Sequence, residues 1–71
     1  MTIEDVIRSV AGFTGEDVTA ETKLRNVVSD SLDFVDLILH VSNECGDIPD
    51  SAVPNVETVN DLYLAASGQL V

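Results

Sequence analysis

The segment from Asp30 to Leu37 places one serine hydroxyl among three aspartates that recur every third residue. A serine can act as a nucleophile when a neighbouring base takes its proton, or it can be the point where another group is attached. His40 is the only histidine, and it follows Ser31 by roughly two and a half helical turns. No Ser-His-Asp triad can form at that separation. We therefore predict no catalytic residue and no enzyme, and expect Ser31 to be presented to a partner.

The acidic side chains do not have the spacing of a metal site. Asp30, Asp33 and Asp36 are spaced for one helix face, whereas a calcium loop needs ligands at alternate residues, a central glycine and a closing glutamate. Cys45 is the only cysteine, so it forms no internal disulfide and no zinc site. We expect it to be a small buried apolar residue.

Hydrophobic spacing predicts a first helix that begins at Ile3, directly after Thr2, and ends between Gly12 and Gly15. Residues 14–29 then lose the helical period and fill with Thr, Gly, Glu and Asn, which indicates a long loop packed on the helices.

A second helix is predicted from Ser31 to Glu44. Asp30 is its expected N-cap, and Asp33 occupies the reciprocal capping position. Gly46 is expected to end it. The hydroxyl of Ser31 would then lie at the start of this helix.

After the second helix we predict one short, poorly regular element and a last helix. Asp50 can cap one helical turn covering residues 51–53. The turn should end there, because Pro54 disfavours helical backbone angles in the residue before it. The last helix should begin after Thr58, with Asp61 completing a capping box and Gly68 stopping it. Its expected core stripe is Val59, Leu62, Tyr63 and Ala66. The predicted fold class is an all-α bundle of three main helices plus one short helix.

The predicted second helix carries more apolar surface than one core face needs. At about 100° per residue its apolar side chains span roughly 220°, and Leu32 and Leu39 border the polar arc of Asp33, Asp36 and His40. We expect His40 to be a solvated residue of that arc. An apolar patch edged by carboxylates suits a partner that is both basic and apolar. The alternative is that the core of the bundle surrounds this helix on several sides and covers its apolar side chains.

Composition limits the size of the fold and its partners. The 71 residues suffice for one domain, placed at 1–71, without an enclosed active site. Thirteen acids against three bases give a net charge of -10, which disfavours nucleic acid and anionic membranes and favours basic protein partners. The sequence shows no signal peptide and no membrane span, so we expect a cytoplasmic protein. Because the 71 residues start at Met1 with no linker at either end, we expect a free-standing protein, and we expect it to be a monomer.

The motif Asp30-Ser31-Leu32 resembles the acyl carrier proteins, in which Asp-Ser-Leu opens the second helix and the serine receives 4′-phosphopantetheine. The likeness extends in order and approximate spacing over about residues 1–68. It includes the first helix, the long loop, residues 33–37, the Ile48-Pro49-Asp50 turn and Thr58-Val59. The resemblance implies a carrier of acyl groups as thioesters.

Carried over by position, the resemblance implies that Ser31 is the attachment residue and that Asp30 and Leu32 help to present it. A phosphopantetheinyl transferase would attach the arm from coenzyme A, with magnesium. The later partners would be acyl-transferring or condensing enzymes with basic docking patches.

Two further groups follow from the same resemblance. The expected partner-binding face, with Leu32 beside it, comprises Asp33, Asp36, Val35 and Leu39. The residues expected to border the acyl-chain pocket are Phe34, Ile48 and Ala52.

Departures from the family pattern indicate a specialised pathway, which could be fatty-acid, polyketide or related biosynthesis. Val27-Val28-Ser29 stands where the family commonly has Leu-Gly and a small residue, and Phe34 replaces what is often a small polar residue. Two alternatives stay open. A peptidyl or aminoacyl carrier shares the fold, although its serine usually follows a Gly-Gly pair, and an unmodified acidic interaction module would use the surface alone.

Overall fold

The fold is known from a computed structural model that describes residues 2–70. Within these residues there are four α-helices, one 3-10 helix and no β-strand. The α-helices are α1 (Ile3–Thr14), α2 (Leu24–Val27), α3 (Ser31–Glu44) and α4 (Val59–Ala66), and the 3-10 helix is Val53–Asn55. The prediction of a small all-α bundle with three main helices is confirmed.

Helix α1 begins and ends where its sequence predicts. The backbone N–H of Thr2 donates to the Asp5 carboxylate at 3.0 Å, which satisfies one of the free amides at the helix start. At the other end Gly15 adopts φ 74° and its N–H donates to the Ala11 carbonyl. Glycine takes this left-handed conformation without steric cost, so the chain can leave the helix there.

The long loop contains a helical turn that its sequence pattern does not reveal. Helix α2 is a single turn, too short for hydrophobic periodicity, and Leu24 anchors it in the core. The start of α2 and the residues before it are tied to the start of α4. The Leu24 N–H donates to the Glu57 carbonyl at 2.8 Å, and the Val59 N–H donates to the Thr22 carbonyl at 3.1 Å. These bonds hold the loop against the bundle.

The short third element differs from its prediction in position. The sequence predicts one turn over residues 51–53 capped by Asp50, but the 3-10 helix is Val53–Asn55 and includes Pro54. Asp50 contributes its backbone carbonyl to the Val53 N–H rather than a carboxylate cap. Pro54 fits because its fixed φ and missing N–H are tolerated in the first turn of a helix.

Helix α4 has the predicted capping box and stop. The Asp61 N–H donates to the Thr58 hydroxyl at 3.1 Å, and the Thr58 N–H donates to the Asp61 carboxylate at 3.2 Å. Gly68 follows with φ 80°. Val59 and Leu62 of the expected core stripe are buried, but the predicted Tyr63 and Ala66 are only half-buried. Ala65, which was not predicted, is fully buried instead.

Helix α1 packs on both α3 and α4, and an aliphatic core lies between them. Leu37, Ile38 and Val41 supply the buried face of α3. Gly46 follows α3 without a left-handed turn; a Cβ there would lie 3.2 Å from the Ala66 carbonyl oxygen. The glycine therefore allows the end of α3 to approach the end of α4 closely.

Candidate functional site

Ser31 is the first residue of α3 and is exposed. Asp30 is the N-cap, as predicted, and its carboxylate accepts a hydrogen bond from the Leu32 N–H at 2.9 Å. The predicted reciprocal bond from Asp33 is wrong, because the Asp30 carboxylate bonds the second amide of the helix and not the third, so no capping box forms at α3. The Asp33 side chain is exposed to solvent.

The Ser31 hydroxyl has no hydrogen-bond partner among residues 2–70, and no histidine lies beside it. His40 is on the side of α3 that faces α1, where its ring centroid lies 5.3 Å from that of Phe13 and its Nε2 lies 3.1 Å from the Glu44 carboxylate. The expectation of a simply solvated histidine is corrected, because packing against Phe13 leaves His40 half-buried.

A depression of about 360 Å³ opens beside Ser31. Its apolar wall is supplied by the loop, α3 and the 3-10 segment, through Leu24, Val28, Phe34, Val53, Pro54 and Val56. Its polar lining consists of Arg25, Ser29, Asp30, Ser31 and Glu57. The hydroxyl thus stands beside an apolar hollow with charged groups along its edge.

A second, smaller depression of about 260 Å³ lies on the other side of the 3-10 helix. Val53 and Pro54 line both depressions, so the 3-10 helix forms the wall between them. On α3 this second depression is lined by Val35, Ile38 and Leu39.

The exposed face of α3 brings together the residues predicted for partner binding. Leu32 is 72% exposed, Leu39 57% and Val35 51%, which is unusual for large apolar side chains. Asp33 and Asp36 are exposed on the same helix. The excess apolar arc is therefore not covered by the bundle, and an apolar strip runs beside exposed carboxylates.

The three residues predicted for an acyl-chain pocket lie in different settings. Phe34 is half-buried and lines the depression beside Ser31. Ile48 and Ala52 are buried members of the aliphatic core and line neither depression described above. The structure therefore places one of the three next to Ser31.

The sequence does not predict Arg25 and Glu57 at this site, although both line the depression beside Ser31. The backbone bond between Leu24 and Glu57 brings the two segments together, although they are far apart in the chain. The available signal was the scarcity of basic residues, since Arg25 is one of only three.

A third depression, of about 430 Å³, lies away from Ser31 on the seam between α1 and α3. It is polar, and the Ser9 hydroxyl lies 3.4 Å from the Glu44 carboxylate there. Cys45 also lines it and is half-buried, so the prediction of a buried cysteine is corrected. Among residues 2–70 no group of three or more His, Cys, Asp or Glu side chains could hold a metal ion, and no helix in that range is long and apolar enough to cross a membrane.

The family model described as "phosphopantetheine attachment site" matches residues 2–65, nearly the whole chain. No curated protein and no solved structure matches the chain significantly.

Proposed function

The chain belongs to the phosphopantetheine-attachment-site family of carrier proteins, and we propose that Ser31 holds the arm and that the cargo is an acyl group. Proteins of this family bear covalent 4′-phosphopantetheine and are generally non-catalytic. The arm ends in a thiol that holds the cargo as a thioester.

The position of Ser31 carries the proposal. Its hydroxyl is exposed at the first position of α3 and has no hydrogen-bond partner among the described residues. The neighbouring Asp30 carboxylate accepts a hydrogen bond from the Leu32 N–H and none from Ser31, so its role in the structure is to fix the helix start. Such a serine suits modification by another enzyme.

The arm can be attached to Ser31 without a general base from this chain. The Ser31 oxygen forms a bond to the phosphorus next to pantetheine in coenzyme A, and the pyrophosphate bond breaks. Adenosine 3′,5′-bisphosphate leaves, and the serine proton passes to a base of the transferase. What this chain supplies is an accessible hydroxyl on a helix that the transferase can bind.

The depression beside Ser31 supports an acyl cargo, since six of its lining residues are apolar. An acyl chain that buried four methylenes there would gain up to about 3 kcal/mol, at about 0.8 kcal/mol for each. Phe34 would be one of the residues that contact such a chain. Ile48 and Ala52 lie in the core, so we propose that they border only a chain that penetrates further.

The partner surface that we propose is the exposed face of α3. Asp33 and Asp36 would attract the basic patch of a transferase or of an acyl-transferring or condensing enzyme, while Val35 and Leu39 would enter its apolar centre. The depression that Val35 and Leu39 line could receive a side chain of the partner.

Attachment is tested with purified protein, coenzyme A, magnesium and a broad-specificity phosphopantetheinyl transferase, followed by intact mass measurement. We expect one arm on the wild type and none on Ser31→Ala. Ser29→Ala is the matched control, because Ser29 is also exposed and lines the same depression, and it should accept the arm normally. An arm on Ser31→Ala, or repeated failure of the wild type, would contradict the assignment.

The type of cargo is tested by loading the arm with acyl groups of increasing length and with an aminoacyl group. If the apolar depression takes the chain, the melting temperature should rise with acyl length and stay near that of the unloaded carrier for the aminoacyl form. Equal melting temperatures for all loaded forms would contradict acyl sequestration and favour a peptidyl carrier.

A further inference from the structure

Attachment of the arm at Ser31 creates an electrostatic problem. The linkage is a phosphodiester that keeps its negative charge at neutral pH, and the neighbouring Asp30 and Asp33 carboxylates are exposed. Glu57 lines the same depression. Like charges repel one another, so a nearby cation would stabilise an arm lying in the depression.

Arg25 is the only basic residue that lines this depression. Its side chain is exposed, and among residues 2–70 no carboxylate lies within ion-pair distance of it. Arg8, by contrast, pairs with Asp5 at 3.7 Å on α1. The guanidinium of Arg25 is therefore available to an anion.

The backbone holds Arg25 beside Ser31. Leu24, its neighbour in α2, is buried and donates its N–H to the Glu57 carbonyl at 2.8 Å. The Val28 N–H closes the turn on the Leu24 carbonyl at 2.8 Å. These contacts fix the backbone on either side of Arg25.

We propose that Arg25 binds the phosphodiester of the arm, a positioning role that rests on attachment at Ser31. A guanidinium can donate two parallel hydrogen bonds to phosphate oxygens, which fixes direction as well as charge. The contact would offset the repulsion from Asp30 and Asp33 and hold the first part of the arm along the depression. Arg25 takes no part in the chemistry of the cargo.

The direct test is NMR of the arginine Nε–Hε groups before and after the arm is attached from coenzyme A. The Arg25 signal should shift on attachment and move back as salt is added, while the Arg8 signal stays nearly unchanged. Arg25→Lys and Arg8→Lys assign the two signals. If both arginines shift equally little in a protein whose mass shows the arm, the role of Arg25 is overturned and attachment at Ser31 is not.

A second measurement compares the melting temperatures of the proteins with and without the arm. In Arg25→Gln, the shift in melting temperature on attachment of the arm should be less favourable than in the wild type by about 2–4 °C at low salt. This is the size expected of an exposed ion pair in a small domain. Lys23→Gln makes the same charge change at a residue outside the depression, and its shift in melting temperature on attachment should equal that of the wild type. The same loss in both variants would overturn the proposal as a general charge effect. Absence of the arm from wild type would instead contradict the proposed function.

Discussion

At Cys45, burial raises the pKa of the thiol above its ordinary value of 9.0, and the carboxylates of Asp5 and Glu44 raise it further. Because the thiolate is the nucleophile, this side chain reacts slowly at neutral pH. Ser31 has the opposite setting, exposed at the start of a helix. The Cys45 thiol is therefore partly buried and slow to react, whereas the Ser31 hydroxyl is accessible to a partner.

The first prediction concerns the two thiols of the carrier that bears the arm without cargo. Iodoacetamide at neutral pH should alkylate the thiol of the arm rapidly and Cys45 slowly, because only the Cys45 thiol has a raised pKa and is partly buried. Mass spectrometry over time should show a fast phase only when the arm is present. Cys45→Ala should retain that fast phase and lose the slow one. A fast phase without the arm would contradict the shielding of Cys45.

Which residues could be predicted from the sequence depends on how local their signals are. Asp30 as the cap of α3 and the exposure of Leu32 and Leu39 follow from spacing within one helix. Arg25 and Glu57 could not be predicted beside Ser31, because a backbone bond between distant segments brings them there. Ile48 and Ala52 are buried, and sequence alone does not distinguish a core position from a pocket wall.

At the scale of elements, helix ends were more predictable than short elements. Thr58 and Asp61 form the capping box that their spacing predicts. The 3-10 helix lies two residues later than expected because Pro54 is accommodated within its first turn instead of ending the previous one. Elements of one turn carry too few residues for periodicity to place them.

The second prediction concerns the cap of α1. The hydrogen bond from the Thr2 backbone N–H holds the pKa of Asp5 below its ordinary value of 3.8, with help from Arg8. A carboxylate with a lowered folded-state pKa stabilises the fold above 3.8, and this contribution is lost as the pH falls through the lowered value. Asp5→Asn should therefore lower the melting temperature at neutral pH, and the deficit should shrink in acid.

Thermal unfolding followed by circular dichroism over a pH series measures this difference. Glu4→Gln is the matched control, since it removes the neighbouring first-turn carboxylate without touching the cap. A deficit in Asp5→Asn that persists unchanged below the folded-state pKa would show that the effect is not due to the carboxylate charge.

At the scale of the whole molecule, a net charge of -10 on 71 residues dominates. All three basic residues precede Asp30, so the part of the chain from Asp30 onward has acids and no Lys or Arg. Mutual repulsion among these carboxylates destabilises the compact state, and it also steers basic partners toward the surface.

The third prediction follows from this repulsion. Added salt should raise the melting temperature because it screens the carboxylates, and a divalent cation should raise it as well. Calorimetry or circular dichroism in potassium and magnesium chloride measures both effects. A melting temperature that stays flat from low to high salt would show that repulsion does not limit stability.

The central claim, that Ser31 carries a phosphopantetheine arm with an acyl cargo, is tested most directly by intact mass measurement of the protein purified from its own host. We predict a mass above that of the unmodified chain by one arm, with a further population heavier by an acyl group. Cleavage of the thioester should remove that extra mass, and fragmentation should place the arm on Ser31. A chain found only at its unmodified mass, or modified at another residue, would contradict the account.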